Sequence, residues 1–207
     1  MKMSRFYARG RVEKELQVRY DDEETVDNAS PETQDIDGEN RSQKDTSLSK
    51  DYINVPSRPY ILKILNKQGD KTVLFADKVL KFTGSGKLKR RILLITDFAL
   101  YIIDPDTDAL KRRIALAAVE KLCLSELGDN FLAIIIPTEY DVLLASTRKT
   151  EIVDALVESA SDYELDVLRS NRFTYNAAAD LVKEVQFEEV EGGIKTRFLQ
   201  KQVALED

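Results

Sequence analysis

The sequence contains no histidine and only one cysteine, Cys123, among its 207 residues. Histidine is the commonest general base and the commonest metal ligand, so its absence argues against most enzymes and most metal sites. A single cysteine cannot form an internal disulfide, which is typical of proteins in a reducing compartment. Because no histidine can activate Cys123, we interpret it as a structural thiol rather than a nucleophile.

Long apolar runs are missing as well. No run approaches the ~20 residues that span a bilayer, and the N-terminal residues lack the apolar centre of a secretory signal. The Gly-x-x-x-x-Gly-Lys-Ser/Thr loop that cradles nucleotide phosphates is also missing. We therefore expect a cytoplasmic protein that is not an enzyme and that uses no metal ion, cofactor or small-molecule substrate.

Positive charge is scarce outside one segment. The chain carries 31 basic and 37 acidic residues, and residues 51–207 alone carry 22 and 25. This balance makes the chain a poor general polyanion binder and argues against nucleic acid as a partner. Residues 78–91 are the exception, because they hold no acidic residue and six basic ones: Lys78, Lys81, Lys87, Lys89, Arg90 and Arg91.

The basic segment connects two apolar runs, VLFADKVLKF and ILLITDFALYIID. Such runs on either side of a Gly-containing link predict a β-hairpin, here with strands over residues 71–82 and 88–103. Two interpretations of its charge stay open. In the first, the basic side chains form a cage for a phosphorylated headgroup, and Gly84 and Gly86 expose backbone N–H groups to the phosphate. Alternatively, they are solvated charges that keep a sheet edge soluble.

The segments around the hairpin differ sharply in composition. Residues 1–50 carry 9 basic and 12 acidic residues with few large aliphatic ones, so we predict an acidic tail that is disordered or ordered only on a partner. Residues 51–207 are the predicted folded domain. Its first element is a helix with an apolar face that includes Ile61 and Leu65. Pro59 lies in the first turn of this helix, and Gly69 follows its end.

After the hairpin, short apolar runs predict strands over residues 110–116, 119–125, 131–136 and 140–145. Residues 147–159 change to a helical period, with Thr147 or Thr150 as the N-cap. Further on, we predict an extended strand over residues 165–175, a weak helix over 176–182 and a hairpin around Glu191-Gly192-Gly193. This order indicates a mainly β fold: a partly open barrel closed by its C-terminal helix, with an additional N-terminal helix and C-terminal hairpin.

Over residues 51 to about 199, the chain resembles the first tail-homology domain of class I myosins. Six segments, taken in order, carry the resemblance: DYINV, YILKIL, KTVLFADKVLKF, KRRILLITDFALYIID, LKRRIALAAVEKLCLSELGDNFLAIII and DVLLASTRKTEIVDALV. The resemblance implies a pleckstrin-homology-like fold and binding of acidic phospholipids, with phosphoinositides preferred by several members. It places the lipid motif at Lys81, late in the first hairpin strand, and Arg91, which opens the second. Class I myosins carry a motor and IQ motifs ahead of this domain. Because this sequence has only the acidic tail there and no nucleotide phosphate loop, we expect a stand-alone tail domain without a motor.

Two functions follow from these observations. The first is a module that binds acidic phospholipid through the six basic hairpin residues. The second is a structural adaptor docked in a cytoskeletal or ciliary (axonemal) assembly, with the tail lying on a partner protein. Lys111, Arg112 and Arg113 either extend the basic patch, contact an acidic partner protein or form the solvated face of a strand. Both functions place the protein at the periphery of a membrane or on the cytoskeleton.

Overall fold

The computed structural model describes residues 50–160 and 164–201, together with the backbone of a short strand β1 (Lys14–Glu15). Most of the predicted tail, residues 1–50, lies outside the described residues. Two helices, α1 (Pro59–Gln68) and α2 (Lys149–Glu158), accompany the strands. Pro59 opens α1 and Gly69, at φ 80°, ends it, as the sequence predicts.

Within the described residues, one large sheet contains nine strands: β2 (Lys50–Asp51), β3 (Val73–Phe82), β4 (Leu88–Thr96), β5 (Ala99–Asp104), β6 (Ala109–Ala115), β7 (Lys121–Leu124), β8 (Phe131–Ile135), β9 (Val142–Ala145) and β10 (Asp166–Arg169). Their order is β10-β7-β8-β9-β3-β4-β5-β6, and β2 pairs with β3. The sheet is not closed, because β6 and β10 form its two ends.

One face of the large sheet forms the main core. Alternate side chains from its strands meet there, for example Phe75, Leu93 and Leu132, because successive residues of a strand point to opposite faces. Helix α2 contributes Ile152 and Leu156 to the same cluster and thereby covers the inside of the open sheet. The predicted mainly β, pleckstrin-homology-like fold with a C-terminal closing helix is confirmed.

Two separate elements cover the opposite face of the large sheet. Helix α1 packs Ile61 and Leu65 against Ile92 and Tyr101. At the other end lies a second sheet of order β1-β13-β12-β11, in which β11 spans Arg172–Ala178, β12 Leu181–Val190 and β13 Gly193–Gln200. Aromatic residues of this C-terminal sheet pack on those of the large sheet: Phe173, Tyr175, Phe187, Phe82 and Phe131.

Asp141 connects the two sheets through backbone hydrogen bonds. It is 3% exposed, and its carboxylate accepts the N–H of Ile136 at 2.8 Å and the N–H of Asn176 at 2.6 Å. Its own N–H donates to the carbonyl of Asn176 at 2.8 Å. The end of β8 is thus fixed against β11 of the C-terminal sheet.

Several predicted boundaries were wrong. The strand predicted over residues 88–103 is two strands, because Thr96 Oγ1 accepts the N–H of Phe98 at 3.2 Å and of Ala99 at 3.0 Å and so closes a tight turn. The extended strand predicted over 165–175 divides into β10 and β11. The helix predicted over 176–182 is absent from the described residues, since this segment ends β11 and begins β12. Helix α2 begins after Arg148, without a side-chain cap.

Candidate anion-binding site

The register of the hairpin separates its basic residues onto two faces. Lys81 lies opposite Lys89, and Val79 lies opposite Arg91. Since residues directly opposite each other share a face and Val79 belongs to the main core, Lys81, Lys89 and Arg91 lie on the inner face. Lys78 and Arg90 alternate with these residues and therefore lie on the outer face.

Strand β6, which is separated from the hairpin by β5, brings two more basic residues to the inner face. Arg112 of β6 lies opposite Ile102, a core residue, next to a bulge that inserts Lys111. These residues and those of the hairpin define the inner basic cluster: Lys81, Lys89, Arg91, Lys111 and Arg112. Lys81, Lys89 and Arg91 belong to the predicted hairpin site. Lys111 and Arg112 belong to the basic run for which the sequence allowed several roles.

Asp104 at the end of β5 holds two members of the inner basic cluster. Its carboxylate lies 3.3 Å from Arg91 Nη1 and 3.5 Å from Lys111 Nζ. Burial by itself raises the pKa of Asp104, but the N–H of Asp106 and the charges of Arg91 and Lys111 outweigh burial and lower the pKa below its ordinary value. Asp104 is therefore ionised at neutral pH, and its side chain is only 13% exposed.

Arg112 is the most deeply buried cation of the inner basic cluster, with its side chain 7% exposed. Its Nε and Nη2 donate to one carboxylate oxygen of Glu139 at 3.1 and 2.8 Å. Its guanidinium carbon lies 4.0 Å from the centroid of the Tyr140 ring, a cation–π contact. Its Nη1 is buried and has no hydrogen-bond partner among the described residues.

Lys81 is half-buried between these groups. Its Nζ donates to the carbonyl of Phe82 at 3.1 Å and lies 6.0 Å from the centroid of the Tyr140 ring. Burial lowers the pKa of Lys81, and the charges of Arg112 and Arg91 lower it further. Like charges therefore act on one another in this cluster, and an incoming anion would relieve their repulsion.

The other predicted basic residues lie elsewhere. Lys78, Lys87 and Arg90 are exposed. Lys78 and Arg90 lie on the outer face, and Lys87 ends the turn between β3 and β4. Arg113 faces away from the inner basic cluster, where its Nε donates to the Tyr101 hydroxyl at 3.0 Å and its Nη2 lies 3.5 Å from buried Asp70.

The turn at the hairpin tip is an ordered part of the fold. The N–H of Gly86 donates to the carbonyl of Thr83 at 2.9 Å, and the N–H of Lys87 donates to Thr83 Oγ1 at 3.0 Å. The expectation that Gly86 exposes its N–H to a phosphate is wrong, because that N–H closes the turn. Gly86 is needed there for its backbone conformation, at φ 78°.

Glu139 and Tyr140 were missed by the reasoning from sequence. Both lie between β8 and β9, more than 40 residues after the end of the hairpin at Thr96. Only strand pairing brings this connection to the hairpin tip, through the contact of β9 with β3. An acidic residue beside an aromatic one between two apolar runs is a weak signal in a sequence with 37 acidic residues.

Comparisons with known proteins identify the family of the chain. The family model described as "Unconventional myosin tail, actin- and lipid-binding" matches residues 41–205. The myosin IB heavy chain of Dictyostelium discoideum is 29% identical over 161 residues, which cover 73% of this chain and 14% of the heavy chain. The myosin heavy chain IB of Acanthamoeba castellanii is 32% identical over 148 residues, which cover 66% of this chain and 13% of the heavy chain.

The solved structure of the C-terminal domain of a protein from Leishmania infantum is also similar, at 18% identity and a TM-score of 0.41. The similarity covers 47% of this chain and 91% of that chain.

The fold and the family model define a mainly β tail module that binds rather than catalyses. The chain belongs to the unconventional myosin tail family, which confirms the resemblance seen in the sequence. It spans about a seventh of the length of the heavy chains that it matches. The adaptor role in a ciliary assembly depends on residues 1–50 and stays a prediction.

Neither of the two described helices is long and apolar enough to cross a membrane.

Proposed function

We propose that this chain binds acidic phospholipid, with phosphoinositide preferred, and that the inner basic cluster receives the headgroup phosphates. The observation that carries the proposal is the convergence of Lys81, Arg91 and Arg112 on one face of the sheet, where burial and then the charges of the two arginines lower the pKa of Lys81. The description of the family as actin- and lipid-binding supports a lipid as the ligand.

The charges of the site set the expected strength of binding. Five basic residues and two acids, Asp104 and Glu139, leave an excess of three positive charges in the inner basic cluster. At about 1 kcal/mol for each basic group near an anionic surface, this excess gives roughly 3 kcal/mol of attraction. Such attraction supports reversible, salt-sensitive membrane association, and specific phosphate contacts then add to it.

Vesicle co-sedimentation tests the proposal, using phosphatidylcholine vesicles with and without phosphatidylinositol bisphosphate. The double variant Lys81→Ala/Arg91→Ala removes two charges from the inner face, and Lys78→Ala/Arg90→Ala removes two from the outer face of the same hairpin. We expect the inner variant to lose roughly 30-fold in affinity, from two groups at about 1 kcal/mol each, and the outer variant to lose clearly less.

Two results would contradict the proposal. Equal losses in the two double variants would mean that the hairpin attracts anionic surfaces by charge alone, without a site on the inner face. Absence of binding by the unmodified chain at low salt would refute the lipid function itself. Circular dichroism of both variants shows whether the domain stays folded.

A further inference from the structure

The two acids of the inner basic cluster differ in how firmly they are held. Asp104 is 13% exposed, contacts both Arg91 and Lys111, and also accepts the N–H of Asp106 at 3.2 Å. Glu139 is 47% exposed, and its contacts to Arg112 are the only ion pair found for it among the described residues. Glu139 can therefore turn into water without disturbing the sheet, whereas Asp104 cannot.

Arg112 also has surroundings that do not involve Glu139. Its guanidinium stacks on Tyr140 at 4.0 Å, and its side chain is 7% exposed. The two donors that Glu139 occupies, Nε and Nη2, form one edge of the guanidinium fork, the geometry that carboxylates and phosphates share. A phosphate that replaced Glu139 would meet an arginine already oriented to receive it.

We propose that Glu139 is a displaceable counter-ion that sets the selectivity of the site, an inference that rests on the lipid function proposed above. An incoming headgroup takes the Nε and Nη2 donors of Arg112, and the Glu139 carboxylate moves into solvent. A phosphomonoester, which carries close to two negative charges, competes with a carboxylate better than a singly charged phosphodiester or carboxylate does. Glu139 thus favours phosphoinositides with free phosphate groups over phosphatidylserine.

The variant Glu139→Gln tests this role, because it removes the charge and nearly preserves the shape of the side chain. The matched control is Glu126→Gln. Glu126 is exposed and precedes β8, whereas Glu139 follows it, so this variant removes one charge at the other end of the strand. Binding is measured with phosphatidylcholine vesicles that contain either phosphatidylserine or phosphatidylinositol bisphosphate. We expect Glu139→Gln to bind both kinds of vesicle more tightly, by roughly fivefold for one charge near the surface.

The gain of Glu139→Gln should be larger for phosphatidylserine vesicles, so that its preference for phosphatidylinositol bisphosphate becomes smaller. The control Glu126→Gln should change neither affinity by more than about a third of that gain. A second measurement follows the Arg112 Nε–H resonance by NMR while soluble inositol trisphosphate is added to the unmodified chain. Exchange of a carboxylate partner for a phosphate partner should shift this resonance.

The outcomes separate the two proposals. If the unmodified chain binds but Glu139→Gln binds no more tightly, or if both glutamine variants gain equally, the counter-ion role is wrong and the lipid function stands. If neither the unmodified chain nor Glu139→Gln binds vesicles or inositol trisphosphate, both proposals fail. Binding by Glu139→Gln alone would also contradict both proposals, since it would mean that lipid does not displace Glu139 from Arg112 in the unmodified chain.

Discussion

The large sheet and the C-terminal sheet use charged residues in opposite ways. In the C-terminal sheet, the Glu184 carboxylate is 2% exposed and accepts hydrogen bonds from Arg172 Nε at 2.9 Å, Lys201 Nζ at 2.9 Å and Gln186 Nε2 at 2.5 Å. In the inner basic cluster of the large sheet, five cations share two acids. One sheet encloses a single acid among donors, and the other collects more cations than its acids can neutralise.

This difference separates a structural role from a binding role. A buried carboxylate with a complete set of donors has no capacity left for a ligand, whereas excess cations beside an exposed counter-ion do. The C-terminal sheet instead supports the site from behind. Phe82 of the hairpin packs on Phe198 with ring centroids 4.8 Å apart, and Lys183 Nζ donates to the carbonyl of Gly84 at 2.8 Å.

The largest effect on this arrangement is expected from Phe82→Ala. Phe82 is 5% exposed and packs against Phe131, at 5.4 Å between ring centroids, as well as against Phe198. Removal of a buried aromatic ring costs about 3–5 kcal/mol, because it leaves a cavity and loses transfer free energy. Urea unfolding followed by circular dichroism measures the decrease in the free energy of unfolding.

Phe98→Ala is the matched control, since Phe98 lies in the turn between β4 and β5 and is 61% exposed. The same substitution there should change stability by less than about 0.5 kcal/mol. If the two variants lost similar stability, the C-terminal sheet would not be packed on the hairpin as described.

The next largest effect concerns the connection between the sheets. Asp141→Ala leaves the buried N–H of Ile136 and the partly buried N–H of Asn176 without their acceptor, which costs about 1–3 kcal/mol. Hydrogen exchange of the Asn176 amide should become faster, by a factor that corresponds to the free energy lost. Asp180→Ala, in the exposed turn between β11 and β12, serves as the control. An unchanged Asn176 exchange rate in Asp141→Ala would mean that the two sheets are held together by other contacts.

Much of the large sheet could be predicted from the sequence because its signals are local. Apolar runs marked the strands of the hairpin, and Pro59 and Gly69 marked the ends of α1, since each of these residues acts through its own backbone conformation. Side chains that act at a distance defeated the prediction. Thr96 divides an uninterrupted apolar run through three of its own hydrogen bonds near the turn, and Asn176 is held in a strand by Asp141, 35 residues earlier.

The candidate site was predictable only in part for the same reason. Lys81 and Arg91 belong to one hairpin, so the sequence places them together. Arg112 joins them only through the pairing of β5 with β6. The bulge in this pairing determines the face on which each basic residue of β6 lies. The separation of the hairpin charges into inner and outer sets depends on register, which a one-residue shift would reverse.

A smaller effect, confined to acid pH, comes from Glu184. Its burial alone raises the pKa, but hydrogen bonds from Lys201, Gln186 and Arg172 outweigh burial and lower the pKa from its ordinary 4.5 to about 2. Because the folded-state pKa is lowered, Glu184 stabilises the fold above pH 4.5, and this contribution is lost as pH falls from 4.5 toward 2.

Urea unfolding at a series of acid pH values measures this contribution. The variant Glu184→Gln should show a shallower loss of stability over the same range. Glu188→Gln, on the same strand but with a side chain 58% exposed, should leave the slope unchanged, because an exposed ion pair contributes little. If Glu188→Gln flattened the slope as much as Glu184→Gln, the enclosed carboxylate would not be the source of the acid sensitivity.

The smallest effect, and the most local, is expected from Lys183→Met. Methionine keeps the apolar stem but cannot donate to the carbonyl of Gly84, so the hairpin turn loses one hydrogen bond from the C-terminal sheet, worth about 1 kcal/mol. The Gly86 amide, which closes that turn, should then exchange roughly fivefold faster, while global stability changes little. Lys89→Met, an exposed lysine of the same hairpin, should leave this exchange rate unaltered. An unchanged exchange rate in Lys183→Met would show that the turn keeps its conformation without this hydrogen bond. Equally faster exchange in Lys89→Met would show that the effect is not specific to Lys183.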